Sequence, residues 1–76
     1  MVVVKTEREI YLVELGMAIR NIRLARGMTQ LDLSSDSGIP ISQIGAIENG
    51  KLNTTIKTLV KITSSLGIKV KDIISF

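Results

Sequence analysis

The sequence predicts an all-α fold, a compact bundle of five short helices, on three observations. Apolar residues recur at intervals of three and four rather than in alternation. Glycines close the periodic stretches, at Gly27, Gly38, Gly50 and Gly67, where a helix C-terminus favours them. Thr29, Pro40 and Thr55 stand just ahead of the later stretches, where a hydroxyl can cap free amides or a fixed φ suits a helix start. A chain of 76 residues has room for one small domain.

Between Thr6 and Arg26 the only helix breaker is Gly16, and Leu12, Leu15, Ile19, Ile22 and Arg26 step along one side of a first helix. Gly27 ends it. Thr29 then caps a second helix over Gln30–Ser37, with Asp32 three residues on as a short-armed capping box. Gly38 stops that helix, and Ile39 is expected to turn inward as a plug. Pro40 opens a third helix that runs to about Glu48 or Asn49. After the polar link 51–54, Thr55 caps a fourth helix. Its expected buried stripe is Ile56, Leu59, Val60, Ile62 and Leu66. A short fifth helix is expected over Val70–Ser75.

The first dozen residues support two readings. Val2, Val3 and Val4 are β-branched and suit a strand, whereas Glu7–Leu15 can extend the first helix backwards by two turns. The chain is therefore divided into an N-terminal extension, residues 1–11, read as a dimerisation segment, and a domain over residues 12–76.

Composition narrows the chemistry. The chain has no cysteine and no histidine, which removes disulfides, Cys/His zinc sites, thiol nucleophiles and His-based triads. Catalysis would fall to seven acidic residues, none convincingly paired, so no enzyme, metal or cofactor is expected. Asp32 and Asp36 share a helix face but read as a cap and a solubilising charge. With 45% hydrophobic and only 3% aromatic residues, the core must be aliphatic. The opening MVVVK is too short for a signal peptide's apolar region, and no run approaches a membrane span. The expectation is a soluble, cytoplasmic protein. The net charge of +3 fits a nucleic-acid partner.

The informative pair is TQLDLSSDSG followed by IPISQIGAIENG. Helices this short are marginal alone and must be packed on the first and fourth. One face of the third helix then stays outside, which is a helix-turn-helix arrangement. At about 100° per residue, Ile44 and Ile47 point to the core. Ser42, Ala46 and Asn49 lie opposite, flanked by Gln43 and Gly45. Arg23 and Glu48 each follow a core isoleucine, at the edge of a buried stripe. Gln30 stands in the first turn of the second helix, where free amides and the positive dipole end suit a phosphate.

From Leu15 to Ile74 the chain resembles the lambda-repressor and Cro-like (XRE-type) helix-turn-helix family of transcriptional regulators. The carriers are LGMAIRNIRLARGMTQLDLS, SGIPISQIGAIENGK and TIKTLVKITSSLGIKVKDII. The resemblance implies a regulator, of repressor or controller type, that binds double-stranded DNA with its recognition helix, about 41–48, in the major groove. It implies a structural ion pair between Arg23 and Glu48. It also implies backbone contacts from Thr29, Gln30 and Lys51, and a reading face made of Ile41, Ser42, Gln43, Gly45, Ala46 and Asn49. Matching positions in the family usually carry longer polar side chains. Gln43 suits adenine, and Ala46 or Ile41 suits a thymine methyl. The expected assembly is a homodimer formed through the N-terminal segment, the fifth helix or both. Exposed apolar residues such as Leu31, Ile10, Tyr11 and Val13 point to interfaces. Two further readings share the scaffold: an antitoxin that binds DNA and a toxin, and a protein-interaction adaptor without DNA readout.

Overall fold

The computed structural model describes residues 6–74. Four α-helices follow one another: α1 Glu7–Ala25, α2 Gln30–Ser37, α3 Ile41–Glu48 and α4 Ile56–Leu66. Among the described residues no strand forms. The strand reading of Val2–Val4 falls outside them.

α1 starts at Glu7 because Thr6 caps it. The Glu9 amide donates to the Thr6 hydroxyl at 3.2 Å, and Glu7 and Glu9 sit at the positive end of the helix dipole. The backward extension is thus the one the chain adopts. α1 is a single rod of 19 residues, about 28 Å long, that runs unbroken through residues 11 and 12.

Thr29 and Asp32 form a complete capping box on α2. The Asp32 amide donates to Thr29 Oγ1 at 3.0 Å, and the Thr29 amide donates to Asp32 Oδ2 at 2.8 Å. The bond from the Thr29 amide, and after it one from the Thr29 side chain, hold the Asp32 carboxyl below its ordinary value. A carboxylate whose pKa is lower folded than unfolded contributes stability that is complete above the unfolded value. That contribution is lost as pH falls through the folded value. Thermal midpoints should therefore drop more shallowly with acid for Asp32→Ala than for the parent chain. Parallel pH profiles would show that the box contributes nothing.

The fifth helix is corrected to a single 3-10 turn, Val70–Asp72. The Asp72 amide reaches Lys69 O at 2.9 Å and the Ile73 amide reaches Val70 O at 3.1 Å, both i to i+3 bonds. Ile73, 2% exposed, anchors the turn against the bundle, and Ser75 lies outside the described residues.

The core is aliphatic, as the composition requires. Leu15 and Ile19 of α1 meet Leu33, Ile44, Ile47, Leu59, Ile62 and Leu66, with Ile39 plugging the gap between α2 and α3. The stripe expected on α4 is too wide. Its five positions span about 160° of arc, more than the contact with α2 covers, and Ile56 (64% exposed) and Val60 (46%) lie outside it. Thr63 takes the buried place instead, donating to Val60 O. Arg26 likewise leaves the α1 stripe. Its guanidinium donates to the Leu66 carbonyl, so the end of α1 closes the end of α4. No helix among the described residues is long and apolar enough to cross a membrane.

Candidate nucleic-acid interface

The α2–α3 pair is held as a rigid unit by its turn. Gly38 takes a left-handed φ of 76°, which a residue with a side chain adopts only under strain. Ser34 Oγ donates to Ile39 O at 2.6 Å, and Ser37 Oγ accepts from the Ile39 amide at 3.2 Å. Pro40 then sits at the N-cap, with the Gln43 and Ile44 amides bonded to its carbonyl at 3.0 and 3.1 Å.

A buried ion pair fixes the far end of α3. Arg23 Nε donates to Glu48 Oε2 at 2.7 Å and Nη2 to Oε1 at 2.9 Å, while Nη1 donates to Met28 O at 2.7 Å. Both side chains are almost fully buried, 7% and 2% exposed. The bidentate fork and the Met28 carbonyl together give each guanidinium nitrogen of Arg23 a partner inside the fold. The Glu48 carboxylate holds the guanidinium above its ordinary value, against the opposing effect of burial.

Gln30 is not a freely solvated side chain. It is half-buried, and its Nε2 donates to Glu48 Oε1 at 3.2 Å. It lies over Gly45, where a Cβ would stand 3.6 Å from Gln30 Oε1. One carboxylate therefore orients both the α1 arginine and the first residue of α2.

The outer face of α3 is shallow. Ile41, Ser42 and Asn49 are exposed, while Gln43, Gly45 and Ala46 are half-buried. The exposed Thr29 lies at one margin of this face, at the start of α2, and the exposed Lys51 lies just past the end of α3. The remaining positions of α3 face inward: Ile44, Ile47 and Glu48 are buried. The fold thus gathers the expected residues along α3, at its C-terminal end and beside the start of α2. Leu31 stands 61% exposed on α2, as expected.

Gly16 is the residue that sequence reasoning passed over. A Cβ built there would lie 2.3 Å from Ile47 O and 2.6 Å from Glu48 O. α1 and the end of α3 approach backbone to backbone, and only glycine allows it. Its signal was a lone glycine inside a long helical run, a position that costs about 1 kcal/mol relative to alanine unless packing requires it.

A small all-α domain that presents a clamped helix-turn-helix with an open third helix is a helix-turn-helix DNA-binding module in architecture. A helix-turn-helix family model matches residues 19–73, and the chain belongs to that family of transcriptional regulators. It is 32% identical over 62 residues to the control protein C.BamHI of Bacillus amyloliquefaciens, covering 80% of this chain and 76% of the relative. It is 34% identical over 55 residues to an HTH-type transcriptional regulator of Methanocaldococcus jannaschii, covering 72% and 83%. Among solved structures, the restriction-modification controller C.AhdI from Aeromonas hydrophila aligns with a TM-score of 0.80 at 31% identity, over 82% of this chain and 94% of that one. The controller C.Esp1396I, solved as a tetramer in complex with its natural 35 base-pair operator, aligns with a TM-score of 0.77 at 35% identity, over 83% of each chain.

Proposed function

We propose that α3 lies in the major groove of duplex DNA and that the chain works as a two-fold homodimer. The chain is a DNA-binding transcriptional regulator of the repressor or controller type. The observation that carries the docking geometry is the outer face of α3, which is clamped from behind and carries only short side chains at Ser42, Gly45 and Ala46. A helix so trimmed can approach the base edges closely. Direct reading then falls to Ser42, Gln43 and Asn49, with Ile41 and Ala46 against thymine methyls. DNA shape supplies the rest. Thr29, Gln30 and Lys51 hold the backbone. Gln30 reaches it with the amide groups that Glu48 leaves over.

Affinity for duplex DNA should fall about a thousand-fold between 50 and 200 mM salt if some six phosphates are neutralised. Gln43→Ala should cost about 1–3 kcal/mol on the cognate site and relax specificity there. Lys51→Ala should weaken cognate and random DNA alike and lower the salt slope by about one. Selection from random duplex DNA followed by titration checks all three. No binding at low salt would favour a protein-binding adaptor, and an unchanged specificity ratio for Gln43→Ala would remove it from the reading face.

The dimer seam best supported is the exposed side of α4, where Ile56 and Val60 stand one turn apart. Ser65, on another side of that helix, donates to Asp36 of α2, so Ile56 and Val60 face away from that helix. Ile74, 42% exposed, is a further exposed apolar side chain, in the C-terminal segment also expected to contribute to the interface. Val60→Glu should weaken the dimer about 10- to 100-fold, read by sedimentation. An unchanged dimer would move the seam elsewhere. Residues 1–11 remain the proposed extension to the domain over 12–76, a division supported by burial that, among the described residues, starts at Leu15 and by a family match that starts at residue 19.

A further inference from the structure

The glutamine that Glu48 holds on α2 has two unlike ends. Gln30 Nε2 donates to Glu48 Oε1 at 3.2 Å, and the same oxygen accepts from Arg23 Nη2 at 2.9 Å. A carboxylate paired with a guanidinium offers acceptors only. The Gln30 amide therefore meets it through its NH2 group and not through its carbonyl. The terminal torsion of a glutamine is broad and two-fold, so without this anchor either sense of the amide would be open to it.

The carbonyl is left outside. Gln30 Oε1 takes no bond from the chain. Among the described residues the only buried side-chain oxygen or nitrogen without a partner is Thr54 Oγ1, so the Gln30 oxygen is open to solvent. A Cβ built on Gly45 would stand 3.6 Å from Gln30 Oε1 and 3.9 Å from Nε2. The amide thus lies across the flank of α3, in the space that a side chain at position 45 would take. Glycine keeps that space free, and a side chain longer than a methyl would displace or cover the amide.

Duplex DNA offers this oxygen few partners. Phosphate oxygens accept and cannot donate, so the backbone takes only the N–H that Glu48 leaves over. In the major groove the donors are the exocyclic amines, adenine N6 and cytosine N4, whereas guanine and thymine present acceptors. We propose that Gln30 is a specificity-determining residue whose carbonyl accepts from an exocyclic amine beside Gly45, and that Glu48 is the positioning residue that turns this carbonyl outward. This role rests on the reading of α3 in the major groove. It adds a reader supplied by α2, where α3 itself carries no side chain.

A cycle between one side chain and one amino group tests the reader, on the full chain and the duplex it selects from random DNA. Each adenine is replaced in turn by purine and each cytosine by pyrimidin-2-one, which lack the exocyclic amine. Gln30→Met keeps the bulk over Gly45 and removes the acceptor. At one position, loss of the amine should weaken the parent about 3- to 10-fold more than it weakens Gln30→Met, the range of a single hydrogen bond. The base-pairing bond lost with the amine affects both proteins and cancels in the cycle. The base at which this occurs tells adenine from cytosine.

Glu48→Gln tests the positioning. Its oxygen still accepts from Arg23 while its new NH2 faces Gln30, so the Gln30 amide turns over and presents N–H groups to the DNA. Selection with this variant should move the preference at that position from an amine-bearing base to an acceptor-bearing one. A purely structural Glu48 would weaken all duplexes alike. Circular dichroism shows whether Glu48→Gln is folded, and the Gln30→Met cycle decides the matter if it is not. Equal losses for parent and Gln30→Met at every position overturn the proposal, as does an unchanged preference in a folded Glu48→Gln. Both results leave the groove reading standing as long as the parent selects a site. A parent that selects no sequence overturns the two together.

Discussion

Glu48→Ala is expected to lower the unfolding free energy by about 3–5 kcal/mol, the usual cost of stranding one charge of a buried pair. A domain this small rarely holds more than about 3–5 kcal/mol in total, so the variant should be largely unfolded at room temperature. Arg23 makes two bonds to Glu48 and one to the Met28 carbonyl, and with the carboxylate gone the buried guanidinium loses two of the three. Gln30 loses its anchor in the same step, so the start of α2 loosens together with the end of α3. Replacing both partners tests whether charge or shape matters. Arg23→Met with Glu48→Leu removes both charges and should recover most of the loss, since buried pairs exchanged for apolar residues are often neutral. Urea unfolding of Arg23→Met, Glu48→Leu and the double variant beside the parent gives the cycle. A loss below about 1 kcal/mol for Glu48→Ala, the range of exposed pairs, would mean that solvent reaches the site.

The second large effect concerns a single methyl group. Gly16→Ala should destabilise by about 1–2 kcal/mol net, because overpacking of up to about 3 kcal/mol outweighs the gain of up to about 1 kcal/mol in helix propensity. The clash is with backbone carbonyls of Ile47 and Glu48, which cannot swing aside as a side chain would. α3 must then move as a body, and DNA affinity should fall beyond what the lost stability explains. Gly45→Ala is the matched control. Its new methyl meets only the Gln30 amide, at 3.6 Å, so that variant should gain about 0.5–1 kcal/mol. Thermal and urea unfolding of the pair should give opposite signs. Two destabilised variants, or two stabilised ones, would remove the close approach as the explanation.

What the sequence disclosed has a common character. Thr29 with Asp32, Gly38 with Pro40, and Thr55 with Gly67 are signals within a few residues of the bonds they make, and the helix ends they implied are those observed. The recognition helix was legible because Ile44 and Ile47 repeat at helical spacing with Gly50 behind them. The Arg23–Glu48 pair lies 25 residues apart. It came from stripe edges on two helices together with a family resemblance, and would not have come from the stripes alone.

The misjudged positions depend on which neighbour a helix finds. The sequence contained the apolar character of Ile56 and Val60, but not the width of the groove between α4 and α2, which leaves both outside. Arg26 fell on the apolar stripe by count and ended on the Leu66 carbonyl, 40 residues away. Gln30 keeps the place in the first turn that suits a phosphate, and the structure adds a bond to a carboxylate on α3 that no local pattern announces. By itself the sequence determined α2, α3 and α4, their ends and the face of α3 left for a partner, since these follow from local hydrogen bonding and periodicity. Only the tertiary structure decided that Gly16 must be glycine and that Glu48 orients two partners. Each of those depends on distances between segments far apart in the chain, which no local pattern encodes.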